Sequence, residues 1–347
     1  MIDLRSDTAT RPTEGMRAAL AGATVGDEQR REDPTVNELQ ERAAALLGHE
    51  RALFVPTATM ANQIALKLHG RPGEVLVAER HAHIVIYEYG GAAVHAGLMI
   101  EAIAGTNGRF GVDELREATE PSTKHADQRA TVLALENTHN SSGGRCWPLD
   151  ELEGLLAEAR ERGLVTHLDG ARLFNAAVAT GVPASAIGRL FDTVTICLSK
   201  GLGCPLGAIL AGSEEAIERA WREKHLFGGA LRQAGIVAAA GVYALDHHLD
   251  RLADDHARAR RLAEGWASAG LPVDLDQVET NFVQLDLAPL GLGRDDALAR
   301  LRAGGVGLSS TIQPTVLRAV THLDVTDDEI DRAIELAPRA LEARVAA

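Results

Sequence analysis

The chain reads as an α/β protein, with a mainly parallel central sheet and flanking helices, followed by a smaller α+β C-terminal lobe. Three observations predict this. Short apolar runs alternate with helical patterns between residues 53 and 212, as successive βαβ units require. An Ala- and Leu-rich stretch without proline, 232–270, then leads out of that alternation. Beyond Pro272, two strand-like runs and two amphipathic patterns remain, enough for a second lobe. At 347 residues there is room for a large core and two lobes. The expected division is 1–250 for the N-terminal segment and large domain and 251–347 for the small one.

Taken in order, the apolar runs at 52–55, 74–78, 131–135, 165–168, 194–198 and 208–210 are expected strands. The segment 150–162 is an expected crossover helix, because Leu152, Leu155, Leu156 and Ala159 fall on one helical face and Gly163 follows. The stretch 232–270 predicts one long helix. After it, 282–287 and 315–320 predict strands, and 294–302 and 327–344 predict helices.

Composition excludes several classes. With 35 basic against 49 acidic residues the net charge is -14, which argues against a polyphosphate partner. The longest apolar stretch, 235–245, is about half of a bilayer span. The first residues carry no cationic region followed by an apolar one, and Cys146, Cys197 and Cys204 lack CxxC spacing, so a reducing cytoplasm is expected. Only Lys67, Lys124, Lys200 and Lys224 are lysines, so few residues can supply an amine to chemistry. There is no GxxxxGK[ST], HExxH, GxSxG or strand-following GxGxxG.

One βαβ unit carries a specific arrangement. The run 165–168 ends in Asp169, and the run 193–198 ends in Ser199, Lys200 and Gly201. Both chemical groups thus sit at strand carboxyl ends, where open α/β sheets build sites. A lysine and a carboxylate so placed suit pyridoxal phosphate, the lysine forming a Schiff base and the carboxylate pairing with the pyridinium nitrogen. An ordinary buried Asp with an Arg partner and a surface lysine is the bland alternative. The segment Pro56 to Asn62, between a strand and a helix, offers backbone N–H groups for a phosphate or a plain N-cap by Thr57 or Thr59. His81 and His83 suit ring stacking, a helix cap, or a metal site with Glu79 and Glu88. Arg172 and Arg318 suit forked contacts with a carboxylate, or are surface charges.

Further motifs carry a family resemblance. Asp3-Leu4-Arg5-Ser6-Asp7-Thr8-Ala9-Thr10-Arg11-Pro12, Asp33-Pro34-Thr35-Val36-Asn37, Leu135-Glu136-Asn137-Thr138-His139-Asn140, His167-Leu168-Asp169-Gly170-Ala171-Arg172, Leu198-Ser199-Lys200-Gly201-Leu202-Gly203 and Thr321-His322-Leu323-Asp324 closely resemble L-threonine aldolases, over essentially the whole chain and in the same order. The resemblance implies a fold type I pyridoxal phosphate enzyme. By that likeness Lys200 carries the cofactor, Asp169 pairs with its ring nitrogen, and His83 stacks on the ring and faces the substrate hydroxyl. Thr59 and the amides around Ala58 hold the phosphate, which Arg232 approaches from a neighbouring subunit. Ser6, Arg172 and Arg318 hold the substrate carboxylate, with Arg172 also beside the cofactor. The family implies a homotetramer, a dimer of dimers with active sites at the dimer interface. The implied reaction is retro-aldol cleavage of an L-β-hydroxy-α-amino acid to glycine and an aldehyde, with His83 taking the β-hydroxyl proton directly or through water. Two alternatives stand beside it. One is a related lyase or transaldolase acting on a bulkier or anionic β-hydroxy amino acid by β-elimination or glycyl transfer; the other is a cofactor-free protein on the same scaffold.

Some positions depart from the family pattern. Arg30 replaces a tyrosine, and it is either a receptor for an anionic substrate tail or an interface charge. Ala58 stands for a glycine, which can lengthen the approach to the phosphate or alter the turn. Ala126 stands for a histidine, leaving the adjacent His125 as the substrate-facing candidate. His225 stands for a lysine, and Lys224 is the candidate to take over its role.

Overall fold

The computed structural model describes residues 1–120 and 129–342. Among these, seven strands form the central sheet in the spatial order Arg51–Val55, Ala208–Gly212, Thr193–Cys197, Val165–Asp169, Ala130–Glu136, Val75–Glu79 and Met99–Ile103. The five from Thr193–Cys197 outward are parallel, and Ala208–Gly212 runs antiparallel to both of its neighbours. Thr193–Cys197 and Ala208–Gly212 are buried throughout. Helices cover both faces of the sheet, which is why its central strands read as mainly apolar runs without strict alternation. The strand missing from the sequence reading is Met99–Ile103. It lies at the sheet edge with Met99, Glu101 and Ala102 exposed, and Glu101 interrupts its apolar pattern.

Helix Leu149–Glu161 buries Leu152, Leu155, Leu156 and Ala159, the face its periodicity predicts. The expected single helix over 232–270 is instead two, Gly235–His247 and Leu252–Ser268. No proline marks the break; it follows from tertiary packing. Ala238, Ala240 and Ala244 enter the core under the large sheet, whereas Leu262, Ala263 and Trp266 enter a second core. Between them, His248 is buried with Nδ1 2.7 Å from the Leu202 carbonyl oxygen. Trp266, fully buried, donates its indole N–H to the Ala333 carbonyl at 3.0 Å.

The second core lies against an antiparallel sheet of Ser309–Ser310, Val316–Val320 and Phe282–Asp286. Ile2 and Leu4 belong to it as well. Strand Ile2–Asp3 pairs in parallel with Val306–Gly307, and the Val320 N–H donates to the Leu4 carbonyl at 2.8 Å. Anchored there, the chain crosses to the large sheet, where the Thr10 hydroxyl donates to the Lys200 carbonyl at 2.8 Å. The N-terminal segment thus brings Ser6 and Asp7 over the strand ends. At that edge Glu79, Glu136 and Asp169 terminate three adjacent parallel strands, Glu136 and Asp169 being register partners.

Candidate active site

Asp169 is buried, and its hydrogen bonds come from the Asn62 amide at 2.9 Å and the Ala171 N–H at 3.1 Å. No cation pairs with it among the described residues. Lys200 follows the neighbouring strand by three positions. Among the described lysines it is the one without a carboxylate partner: Lys67 pairs with Glu223 and Lys224 with Glu28. A buried carboxylate lacking a cation and an amine lacking an anion, on adjacent strand ends, suit a group that brings its own cationic nitrogen and a carbonyl carbon.

The helix Ala58–His69 begins at the same edge. Thr57 caps it, its hydroxyl accepting from the Met60 N–H at 3.1 Å, while the N–H groups of Ala58 and Thr59 have no partner among the described residues and lie at the positive end of the helix dipole. Ala58 is the first helical residue and does not adopt a positive φ. Alanine at this position therefore carries no left-handed backbone strain.

His83 opens the short helix His83–Ile86. Its backbone N–H donates to Glu136 Oε2 at 2.7 Å, and its Nδ1 lies 3.0 Å from Glu88 Oε1. Burial weakens proton binding at this imidazole, but Glu88, Asp169 and Glu136 outweigh it and leave the pKa raised. One ligand atom each from His83, Glu88 and Asp169 lie within 4.8 Å of one another. The Asn62 amide donates to both carboxylates, however, at 2.9 Å each, so hydrogen-bond donors already fill the space between them.

A cationic half faces this anionic one. Arg172 is buried, and Asp7 takes its Nε and Nη2, each at 2.6 Å. The fork expected to meet a substrate is therefore filled from within, leaving Nη1, which lies 3.4 Å from Asn140 Oδ1. Burial opposes ionisation of Asp7, yet the charge and hydrogen bonds of Arg172, helped by Lys200 and Arg318, bring its pKa down to about 2. Arg318 differs from Arg172. Its partners are the neutral Asn140, at 2.9 Å, and Ser309, at 3.3 Å, and it has no carboxylate among the described residues. Both guanidinium groups lie over the Phe282 ring, at 4.8 and 5.3 Å from its centroid. Burial and the neighbouring Arg172 lower the pKa of Arg318. Three cationic groups against one carboxylate make an anion receptor. Ser6 lies beside it, with its hydroxyl accepting from the Thr8 N–H at 3.2 Å and the Thr8 hydroxyl at 2.8 Å.

The remaining candidates lie apart. The Arg30 side chain is 73% exposed and lies 3.9 Å from Asp27, which Arg232 also contacts, at 3.0 Å. His125 and Ala126 lie outside the described residues. The Lys224 side chain is 1% exposed and paired with Glu28 within its own protomer, while His225 packs against Trp221. Sequence reasoning missed Asp7, Asn62 and Asn140 as site residues and gave Glu136 no role. All four lie inside quoted motifs, but nothing in spacing distinguishes them from their neighbours.

The beta-eliminating lyase family profile matches residues 3–288. Over 334 residues the chain is 41% identical to the low specificity L-threonine aldolase of Escherichia coli strain K12, covering 95% of this chain and 96% of that one. Low-specificity L-threonine aldolase 1 of Arabidopsis thaliana is 37% identical over 334 residues, 93% of each chain. The solved structure of Leishmania major threonine aldolase superposes with a TM-score of 0.83 over 98% of this chain and 100% of that one, at 21% identity, and so shares the fold. The architecture is that of fold type I pyridoxal phosphate enzymes, and the donor set around Asp169, Lys200 and the Ala58 helix end fits that cofactor. On sequence, fold and the composition of its site, the chain belongs to the beta-eliminating lyase family, within the low-specificity L-threonine aldolase group.

Proposed function

We propose that the chain catalyses pyridoxal-phosphate-dependent retro-aldol cleavage of L-threonine, L-allo-threonine or related L-β-hydroxy-α-amino acids to glycine and an aldehyde. The observation that carries the reading is the juxtaposition of Lys200, an amine without an anion, with an anion receptor centred on Arg318 and a histidine on the opposite side.

When bound, pyridoxal phosphate supplies an electron sink for the pair released as the Cα–Cβ bond breaks. Lys200 would hold it covalently, Asp169 would keep its ring nitrogen protonated, and the amides of Ala58 and Thr59 would take its phosphate. Arg232 would reach the phosphate of a neighbouring subunit. Toward the substrate, Arg318, the Nη1 edge of Arg172 that Asp7 leaves open and the Ser6 hydroxyl grip the α-carboxylate. A carboxylate gripped at two points fixes which bond at Cα is presented for cleavage. His83 takes the β-hydroxyl proton, directly or through water, and is suited to this because imidazole exchanges protons near neutral pH.

The test is product analysis over a panel of L-threo and L-erythro β-hydroxy amino acids. Glycine with an aldehyde is expected, and ammonia with a keto acid would instead establish β-elimination. The assembly proposed is a homotetramer, a dimer of dimers with active sites at the dimer interface. It is supported by exposed Tyr87, Tyr89, Val94 and Leu226, and light scattering tests it. A cytoplasmic location suits the three free, buried thiols.

A further inference from the structure

We propose that Glu88 is the positioning residue for His83: its carboxylate, clamped by Asn62 and Gln63, holds the imidazole as the Nδ1–H form and leaves Nε2 as the bare nitrogen that meets substrate. The inference rests on the reading of His83 as the proton acceptor.

Hydrogen-bond directions can be assigned from one end to the other. Asn62 Nδ2 has two hydrogens, and both go to carboxylates, Glu88 Oε1 and Asp169 Oδ2, each at 2.9 Å. Its Oδ1 must then accept, so His167 Nε2, 3.1 Å away, carries a proton. Burial pushes His167 down to about 3, so the ring is neutral and its Nδ1 is bare. That Nδ1 accepts from the Thr193 hydroxyl at 2.9 Å, and Thr193 Oγ1 in turn accepts from His69 Nε2 at 2.8 Å. Every donor therefore points along His69, Thr193, His167 and Asn62 toward the two carboxylates. A flipped Asn62 amide would place its oxygen between two anions and its NH2 against a ring N–H, so the chain runs one way.

At its end Glu88 is buried and accepts from Asn62 and, through Oε2, from Gln63 Nε2 at 2.6 Å. An ionised carboxylate has no hydrogen to give. His83 Nδ1, 3.0 Å away, must supply the proton of that contact, and the tautomer follows. The other groups facing His83 are Asp169, Glu136 through the His83 backbone N–H, and the Tyr87 ring at 5.3 Å. The acidic ones all favour a proton on the ring, while Glu88 alone bonds the ring itself and so alone selects the nitrogen.

Glu88→Gln is a clean perturbation. Gln63 Oε1 is buried with no partner among the described residues, so Gln63 can rotate its amide to accept from the new NH2 group while the new carbonyl keeps the place of Oε1. The variant removes charge and keeps shape. The experiment is solid-state 15N NMR of histidine-labelled holoenzyme across pH, with His83 identified by its loss in His83→Gln, alongside the pH dependence of kcat/KM. In the wild type, neutral His83 is expected to show a protonated Nδ1 and a bare Nε2. In Glu88→Gln its titration and the acidic limb of kcat/KM both move to lower pH, and Glu88→Asp restores them toward wild type. A wild-type Nε2–H tautomer, or an unmoved His83 titration in a folded, cofactor-loaded Glu88→Gln, overturns the proposal. The wild-type spectrum decides alone should the variant not fold. Failure of the spectrum while glycine and aldehyde still form would sink the role of Glu88 only; absence of those products would sink the aldolase reading itself.

Discussion

Asp7 supports the anion receptor from beneath, and Asp7→Asn measures how much depends on it. A carboxyl brought from 3.8 to about 2 contributes about 2 kcal/mol to folding at neutral pH. The depressed pKa sets the sign: the contribution is complete well above 3.8 and is lost as the pH falls through about 2. The variant also leaves Arg172 a buried cation facing a neutral amide, so the whole cost at pH 7 is about 3–5 kcal/mol. Unfolding entropy of roughly 2.1 cal/mol/K per residue gives about 0.7 kcal/mol/K for 347 residues, so the midpoint falls by about 4–7 °C. The assay is thermal unfolding of wild type and variant at matched protein and pyridoxal phosphate concentrations. At pH 3 about half of the pH-linked contribution of wild-type Asp7 is gone, so the gap narrows by about 1 kcal/mol. A gap below about 1 kcal/mol at pH 7, or a larger gap at pH 3 than at pH 7, would refute the argument.

Other substitutions separate the parts of the site. Arg318→Leu removes one charge-assisted contact of about 1.5–3 kcal/mol, so kcat/KM for L-threonine should fall roughly 10- to 150-fold with the fold intact; steady-state kinetics and circular dichroism check this. Arg30→Ala should leave the ranking of threonine, phenylserine and β-hydroxyaspartate unchanged, because the exposed Arg30 faces Asp27 rather than the receptor within its own protomer; a selective loss of β-hydroxyaspartate would instead make it a substrate-tail receptor. Asn62→Ala leaves His167 Nε2, Glu88 and Asp169 each short of a partner, and should weaken cofactor retention on dialysis more than Arg30→Ala does.

Those parts of the molecule set by local pattern were readable before any coordinates. The helix Leu149–Glu161 announces itself through one apolar face, and the buried strands through short, mainly apolar runs. The placement of Asp169 and Lys200 at adjacent strand ends was legible because the apolar runs before them mark where the strands stop. The break at His248 was not, since the two flanking helices separate only because they enter different cores. Nor was the filling of the Arg172 fork. Asp7 and Arg172 are 165 positions apart, and their union depends on Ile2 and Leu4 being buried in the second core, a contact that no local signal records. The edge strand Met99–Ile103 failed for the converse reason, because half-exposure removed the pattern that marks its neighbours.

The distribution of charge ties these findings together. Glu79, Glu136, Asp169 and Glu88 gather beneath one side of the site, and Arg172, Arg318 and Lys200 beneath the other. Each side is partly compensated from within, His139 lying 3.1 Å from Glu79 and Asp7 neutralising Arg172. What remains without an opposite charge among the described residues is Asp169 on the first side, and Arg318 and Lys200 on the second. On the proposed reading, a cationic ring nitrogen would satisfy Asp169 and an amino-acid carboxylate Arg318, so cofactor and substrate would each be recognised by charge the protein leaves unpaired. This also explains why an overall acidic chain can hold an anionic group: the receptor is local, walled by Phe282, and its strength depends on Asp7 neutralising one guanidinium and not both. A second carboxylate placed beside Arg318, as in Ser309→Asp, would close that imbalance. It should raise KM for the amino acid while leaving cofactor binding at Lys200 unchanged, and loss of both together would show that the two charges are not recognised independently.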